Sequence, residues 1–250
     1  MSFVLPEGRE RSDYIKRKFT RIAGGYDLFN DLITLGMHRR WKGILTEKAG
    51  VGSGSRVLDI CCGTGDISRK MRAKVGDKGI CVGLDFSEGM LEIAKSRKET
   101  AGILFVQGDA IELPFRNDSF DSVSIGYGLR NLSDINRGLQ EAIRVLKPGG
   151  RFLCLDVGKI RLPAIKQLFK LYFFSVVPAI GKRIYPGEDL FDYLPQSSVP
   201  YPSQESLAEK LRELGFGEVQ FFNFLFGGGV IHYAEKPKAG PCSKERQPRR

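Results

Sequence analysis

The chain has 250 residues, of which 42% are hydrophobic, so it can bury one good core, and we expect a single α/β domain. Its most apolar stretch, residues 171–180, is too short to span a bilayer, and its N-terminus mixes acids with bases, unlike a signal peptide. The formal net charge of +10 does not by itself identify the class of partner, which could be nucleic acid or an anionic lipid surface.

The excess basic charge lies at the two ends of the chain. Residues 236–250 carry six Lys or Arg and one Glu, giving +5, and residues 1–22 carry six bases and three acids, giving +3. No basic stripe interleaved with aromatic residues accompanies them, so we do not expect nucleic acid as a partner. Attraction to anionic lipid is an alternative. We interpret residues 237–250 as a basic, disordered and solubilising tail.

The five cysteines, at positions 61, 62, 81, 154 and 242, have no spacing typical of metal ligands, and we predict no metal site. Three of them lie in or beside predicted buried strands. The adjacent Cys61 and Cys62 could form a redox pair, but small packing residues are the favoured interpretation. This cysteine usage fits a reducing cytoplasm.

The chain begins with helical pieces and continues as alternating strands and helices. Residues 9–50 show helical periodicity broken at Gly24-Gly25 and Gly36, and the polar and aromatic residues 24–31 suggest a loop that contacts a ligand. From residue 56 the pattern predicts a parallel sheet with helices on both faces and ligands beyond the carboxyl ends of the strands. The predicted strands are 57–60, 80–84, 103–106, 122–127 and 151–157, and the predicted helices lie near 67–75, 88–98 and 134–146.

The pattern changes after residue 157. An apolar, aromatic helix is predicted over 163–180, followed by a turn-rich segment and a helix over 205–214. Residues 218–224 and 230–235 look like a terminal antiparallel pair. We therefore predict a doubly wound, mostly parallel, seven-stranded Rossmann-like sheet over residues 51–236. Residues 1–50 form a helical cap that contacts substrate, and residues 160–204 form a lid insertion.

The most informative motif is the octapeptide Asp59-Ile-Cys-Cys-Gly-Thr-Gly-Asp66, which directly follows a strand-like run. Two glycines one residue apart allow a sharp turn and a close approach to a ligand. The third glycine of a dinucleotide fingerprint is absent, because Ser68 stands at its position. A pyrophosphate here would meet two carboxylates, whereas a cationic cofactor would be attracted to them. The turn therefore favours S-adenosylmethionine over NAD or FAD.

Two further acids follow predicted strands. Asp85 ends the second strand, where a carboxylate can accept both hydroxyls of a ribose. Its other interpretation is a helix N-cap, although Ser87 suits that role better. Asp109 ends the third strand, where a carboxylate can accept from an adenine amino group. With Asp59, three acids stand at three successive strand ends, which indicates a nucleoside site.

Residues 57–157 resemble a class I S-adenosylmethionine-dependent methyltransferase. The segments Tyr26–Asp31, continuing through Trp41-Lys42, and Tyr127–Asn131 sharpen the resemblance, with a looser match from Tyr193 to Leu207. Together they are similar to the ubiquinone/menaquinone ring C-methyltransferases over about 15–235. The resemblance implies methylation of a polyprenylated quinol, most simply demethylmenaquinol to menaquinol. The cofactor-binding residues it implies are Gly63, Thr64, Gly65, Asp85, Asp109, Ala110 and Gly126. The residues themselves add Asp59.

Methylation of a ring carbon requires an electron-rich ring, and loss of a phenolic proton with a pKa near ~10 sharpens that carbon as a nucleophile. We predict that Arg130 stabilises the phenolate, Asn131 orients Arg130 or binds a hydroxyl, and Tyr26 relays a proton or caps the site. Arg130 cannot be the base. A water, Tyr26 or His38 would accept the proton, and a structural salt bridge is the alternative role for Arg130.

Other functions remain open on sequence alone. The chain could methylate another aromatic or lipid acceptor, or it could bind the cofactor without catalysis in a biosynthetic complex. A dehydrogenase is disfavoured by Asp59 and Ser68. We expect a cytoplasmic protein with peripheral contact at the inner face of a membrane, because a prenyl tail can remain partly in lipid. A homodimer is a further option.

Overall fold

The structure, a computed structural model, describes residues 8–238, and the predictions for the tail beyond residue 238, including Cys242, lie outside this range. Three helices come first: α1 (Gly8–Ile22), α2 (Tyr26–Thr34) and α3 (Met37–Lys48). The alternating part contains β1 (Arg56–Ile60), α4 (Asp66–Val75), β2 (Ile80–Asp85), α5 (Glu88–Ser96), β3 (Leu104–Gln107), β4 (Phe120–Gly126), α6 (Ile135–Val145) and β5 (Leu146–Val157). The chain continues with α7 (Pro163–Leu171), α8 (Val177–Ile184), α9 (Leu190–Ser198), α10 (Gln204–Glu213), β6 (Val219–Phe224) and β7 (Gly229–Glu235).

The seven strands form one sheet in the order β3-β2-β1-β4-β5-β7-β6. The first five strands are parallel, and β7 runs antiparallel between β5 and β6. This confirms the predicted doubly wound, mostly parallel sheet. The strand order reverses between β1 and β4, so their carboxyl ends flank the crevice where such sheets bind ligands.

Helices cover both faces of the sheet. Successive residues of a strand point to opposite faces, so each strand contributes to two cores. In β5, Phe152 and Cys154 join a core with α6 and α10, whereas Leu153 and Leu155 join a core with α3 and α4. A third core joins α1, α2, α8 and α9 around Phe29, Phe191 and Tyr193. The N-terminal helices therefore share a core with the segment predicted as a lid.

Two local predictions were wrong. Residues 24–31 are not a loop, because α2 begins at Tyr26, directly after a 3-10 turn over Ala23–Gly25. The turn-rich segment after residue 185 contains the helix α9, which tolerates Pro195 in its interior. Its buried residues Leu190, Phe191 and Leu194 recur at helical spacing and pack into the third core, and this packing outweighs the hydrogen bond that proline removes.

The segment Pro163–Ile184 is one long helix in which a π-turn over Tyr172–Val176 joins α7 to α8. By length and composition it is the one candidate membrane span within residues 8–238, with only 17% of its apolar window buried. The expectation from sequence that this stretch is too short to span a bilayer was therefore wrong by length, because the helix has 22 residues. Its position beside the ligand crevice matters more than its length.

Candidate active site

An acidic cleft opens at the carboxyl ends of β1, β2 and β4. Its charged lining residues among residues 8–238 are two acids, Asp85 and Asp109, and neither forms an ion pair with a described residue. The remaining walls are uncharged: apolar residues, glycines and a few polar side chains such as Ser12, Tyr26 and Asn131. Of the predicted cofactor residues, five line the cleft: Gly63, Asp85, Asp109, Ala110 and Gly126. A site with this charge suits a ligand that carries positive charge.

Asp85 is held in the cleft by backbone groups. Its carboxylate accepts hydrogen bonds from the backbone N–H of Gly63, at 2.8 Å, and of Ser87, at 2.9 Å. Burial raises the pKa of Asp85 to about 6, and these N–H groups offset only part of that cost. The N-cap of α5 is Ser87, whose side chain accepts from the Met90 N–H, so Asp85 is not needed for capping.

Asp59 does not line the cleft, contrary to our expectation. It is 1% exposed and accepts hydrogen bonds from the hydroxyls of Ser68, at 2.7 Å, and Ser124, at 2.8 Å. Burial raises its pKa to about 6. Ser68, which stands at the position of the third fingerprint glycine, thus fixes the Asp59 carboxylate in the core. Asp66, the second carboxylate of the octapeptide, pairs with Lys42 at 2.9 Å.

Thr64 and Gly65 also lie outside the acidic cleft. The Thr64 hydroxyl donates to Asp27 of α2 at 2.8 Å, and Asp27 also pairs with Arg97. Gly65 borders a polar groove on the other side of the turn. Its left-handed φ of 87° lets the turn enter α4 directly. These residues shape the turn and tie α2 to it.

Helix α1 covers the acidic cleft. Ile15 and Phe19 line the cleft opposite the sheet, and the Thr20 hydroxyl lies 2.9 Å from that of Ser87. At its N-terminal end, Arg11 donates to the carbonyl oxygen of Arg130 and to the Tyr193 hydroxyl. The cleft is therefore closed from above by the N-terminal helices.

A second, apolar cavity of about 420 Å³ adjoins the cleft. Its walls come from α2, α3, the long helix, α9 and the turn between β6 and β7. Tyr26 and Tyr127 line both spaces, so a molecule in one space meets a molecule in the other at these two side chains. The apolar walls include Ile33, Trp41, Phe169, Tyr172, Phe173 and Val177.

Arg130 lies at the inner end of the apolar cavity and is 6% exposed. Its Nη1 donates to the Asp156 carboxylate and, at 3.1 Å, to the Tyr127 carbonyl oxygen. Burial is the largest single influence and lowers the pKa of Arg130, but the charge and hydrogen bond of Asp156, together with Tyr26 and Tyr193, hold the pKa above its ordinary value. Its Nε has no hydrogen-bond partner within residues 8–238. Part of the guanidinium thus forms the salt bridge that was the alternative role for Arg130. Its Nε remains without a hydrogen bond to a described residue.

The other predicted catalytic residues lie around Arg130. Asn131 lines the acidic cleft, donates to the Tyr127 carbonyl oxygen at 3.3 Å and accepts from the Tyr193 hydroxyl at 3.3 Å. Burial raises the pKa of Tyr26, partly offset by a hydrogen bond with Asn30 and by the Arg130 charge. Tyr26 is therefore a neutral donor at pH 7 rather than a base.

His38 also borders the apolar cavity, with its Nε2 at 2.9 Å from Asp31. Burial, aided by the Lys42 charge, lowers its pKa, so the ring is neutral near pH 7. The other histidine, His232, is 1% exposed and bonds to the Gln204 carbonyl oxygen away from both cavities. It is a packing residue, as expected.

Sequence reasoning missed two residues at the junction. Asp156 is an isolated acid inside the apolar strand β5, and such an acid at the carboxyl end of a predicted strand was a usable signal. Tyr127 follows β4 with a left-handed φ of 59°, and no sequence signal predicts that conformation for a tyrosine. Its buried hydroxyl has no partner within the described residues.

The sequence profile of the ubiE/COQ5 methyltransferase family matches residues 8–236. The chain belongs to this family. It is 44% identical over 244 residues to a demethylmenaquinone methyltransferase of Leptospira interrogans, covering 94% of this chain and 97% of that protein. A protein of the same name from Staphylococcus saprophyticus is 37% identical over 233 residues, covering 93% and 100% of the two chains.

Solved structures agree with the family in fold. A SAM-dependent methyltransferase from Aquifex aeolicus has a TM-score of 0.56 at 18% identity, covering 78% of this chain and 88% of that one. A Haemonchus contortus N-methyltransferase in complex with S-adenosylhomocysteine has a TM-score of 0.59 at 19% identity, covering 80% and 53%. This family member is an S-adenosylmethionine-dependent methyltransferase. The unpaired acids of the cleft fit that cationic donor.

Proposed function

We propose that the protein methylates a ring carbon of a polyprenylated quinol, converting demethylmenaquinol to menaquinol. The observation that carries this proposal is the junction of the acidic cleft with an apolar cavity of about 420 Å³, where Tyr26 and Tyr127 line both spaces and Arg130 lines the cavity. An aromatic head with an apolar tail suits such a cavity. The names of the Leptospira and Staphylococcus relatives support the same reaction. The quinol that is C-methylated in ubiquinone synthesis is a second candidate substrate of the same kind.

The donor residues have distinct roles in this proposal. Asp85 accepts the ribose hydroxyls, Asp109 and Ala110 contact the adenine, and Gly63 lets the donor approach the backbone closely. Gly126 lines the acidic cleft, and its missing Cβ leaves room for the Ile67 side chain. The space beside Gly63 is open, since a Cβ added there would meet no atom within 4 Å. S-adenosylmethionine supplies the methyl group as a sulfonium, and no metal takes part.

The quinol hydroxyl first gives its proton to a water molecule. The sulfur–methyl bond then breaks as the ring carbon–methyl bond forms, S-adenosylhomocysteine leaves, and the methylated ring carbon gives its proton to water. Arg130 stabilises the phenolate oxygen that drives the attack, through the part of its guanidinium not held by Asp156. Tyr26 caps the ring at the junction, and Asn131 fixes the Tyr127 carbonyl that Arg130 also contacts. Alignment of donor and acceptor supplies about 7–11 kcal/mol of the barrier reduction.

We further propose that the protein is cytoplasmic, contacts the inner face of a membrane peripherally and does not bind nucleic acid. A homodimer or a biosynthetic complex is compatible with this location. The prenyl tail motivates the membrane contact, because burial of each methylene favours lipid by about 0.8 kcal/mol.

The test is methyl transfer from labelled S-adenosylmethionine to a panel of reduced acceptors. With demethylmenaquinol as the acceptor, we expect labelled menaquinol. With the oxidised quinone as the acceptor, we expect no labelled product, because the oxidised ring carbon is a poor nucleophile. A sterol and a simple phenol serve as competing acceptors. Transfer to either of these with none to any quinol would refute the assignment, and donor binding without transfer to any acceptor would indicate a non-catalytic module.

A further inference from the structure

The mouth of the apolar cavity is surrounded by exposed apolar side chains. All the exposed large apolar residues within residues 8–238 except Leu104 and Val199 lie on α2 and its end, on the long helix with its preceding residue, or on the turn between β6 and β7. These three elements also supply cavity walls. We define the apolar rim as Leu32, Leu35, Leu168, Leu171, Leu225 and Phe226. Their exposure ranges from 46% to 85%.

The apolar surface of the long helix extends beyond the face that lines the cavity. Phe169, Tyr172 and Phe173 line the cavity, while Leu168 and Leu171, on the adjoining face, are 68% and 62% exposed. A helix on the surface of a soluble protein ordinarily presents polar residues outward. The exposed leucines therefore form an apolar strip beside the cavity, and such a strip suits a second apolar environment.

The backbone holds bulky apolar side chains outward at the rim. Leu35, Leu225 and Phe226 have left-handed φ values of 48°, 46° and 57°, a region that bulky side chains seldom occupy. Such conformations cost on the order of 1 kcal/mol each and persist where the surrounding structure imposes them. Strain at three exposed apolar positions around one opening indicates a surface shaped for contact.

The charge beside the rim is positive. The segment Pro163–Ile184 contains four basic residues and no acid. Lys166 and Lys170 are exposed and form no ion pair with any residue between 8 and 238, whereas Lys182 pairs with Asp192. An apolar face bordered by unpaired lysines matches the interface of an anionic bilayer, where long side chains reach the headgroups. A second copy of the chain would bring these lysines together.

We infer that the apolar rim docks on an anionic lipid bilayer and that the quinol enters the cavity directly from the lipid between Leu35 and Leu225. This inference rests on the proposed function for the identity of the quinol. The helix lies in the interface rather than across it, because Val177, Pro178 and Gly181 are buried inside the protein. The prenyl tail then stays in lipid while the ring reaches Arg130.

Flotation of the full-length protein with phosphatidylglycerol vesicles tests the docking. We expect binding that weakens in high salt and on phosphatidylcholine vesicles. The double variant Leu168→Glu/Leu171→Glu should bind about tenfold or more weakly, since it places two carboxylates in the apolar interface. Leu104→Glu is the matched control, because Leu104 is 59% exposed on the edge strand β3 and lies away from the rim. It should bind like the wild type.

Activity separates docking from catalysis. On a water-soluble quinol with a truncated prenyl group the double variant should equal the wild type, which also shows that it folds. On a long-chain quinol in vesicles its rate should fall about tenfold, in step with binding. If the wild type methylates neither quinol, the proposed function fails, while flotation still decides the docking.

Three results would overturn the inference. One is wild-type protein that ignores phosphatidylglycerol vesicles. Another is a double variant that floats as well as the wild type. The third is a lipid-free sedimentation experiment in which the wild type is a dimer and the double variant is a monomer, because the rim would then cover a second copy of the chain.

Discussion

The carboxylate of Asp85 lies in the acidic cleft with backbone N–H groups, and no cationic side chain from residues 8–238, to stabilise its charge. Burial places its pKa at about 6, so lowering the pH from about 7 to 5 protonates it. Because the charged form attracts a cationic donor, donor affinity should rise with pH through this window.

Asp85→Asn should lower the affinity for S-adenosylmethionine about 10- to 100-fold at neutral pH, since charge-assisted hydrogen bonds to the donor are lost. The variant should also lose most of the pH dependence between about pH 5 and 7. Titration calorimetry measures both effects. Asp121→Asn is the control, since Asp121 pairs with Lys147 far from the cleft. Unchanged affinity in Asp85→Asn would remove this carboxylate from the donor site.

The Arg130–Asp156 pair allows catalytic and structural roles to be separated. Arg130→Lys keeps a charge but loses the planar fork, so kcat should fall about 10²- to 10³-fold while donor affinity changes little. The double variant Arg130→Met/Asp156→Leu removes both buried charges together and should remain folded. If that variant retained kcat, Arg130 would serve only the salt bridge. Multiple-turnover methylation with saturating quinol and donor measures kcat in each variant.

Among the elements, α8 and α9 approach unusually closely at Gly181. A Cβ added there would lie 2.1 Å from the ring of Phe191, which the third core holds in place. Gly181→Ala should therefore lower the free energy of unfolding by about 1–3 kcal/mol. It should also weaken quinol binding by moving the long helix.

Gly43→Ala is the matched control for this prediction. Gly43 lies inside α3, and a Cβ there would meet nothing within 4 Å. The substitution should raise the free energy of unfolding by about 0.5–1 kcal/mol through helix propensity. Urea denaturation of both variants makes the comparison, and a similar change in both would show that α8 and α9 tolerate separation.

Strong periodicity made most elements predictable, whereas local exceptions depended on packing. The strands were placed because buried apolar runs alternate with amphipathic helices. Helix α9 was missed because Pro195 and two serines suggest a turn, and only its buried contacts make it helical. Asp59 was misplaced because strand ends were predicted but side-chain direction was not, and Ser68 and Ser124 turn its carboxylate into the core.

At the scale of the whole molecule, donor binding and folding are coupled because the acidic cleft lies between the sheet and α1. A ligand that binds only the folded chain raises the free energy of unfolding by about 2.7 kcal/mol at about 100 times its Kd. With S-adenosylmethionine we expect the urea midpoint to rise by the amount that corresponds to this free energy, with no change in m-value. Asp85→Asn should shift less at the same donor concentration, and an unshifted wild-type midpoint would contradict a site formed by folding.

The position of β7 has a consequence for synthesis of the chain. The last strand within residues 8–238 is β7, which inserts between β5 and β6 and supplies a neighbour to each of them. A nascent or prematurely terminated chain that ends before Gly229 therefore keeps two open strand edges, which are prone to pair with other polypeptides. Closure of this side of the sheet thus waits for the synthesis of β7.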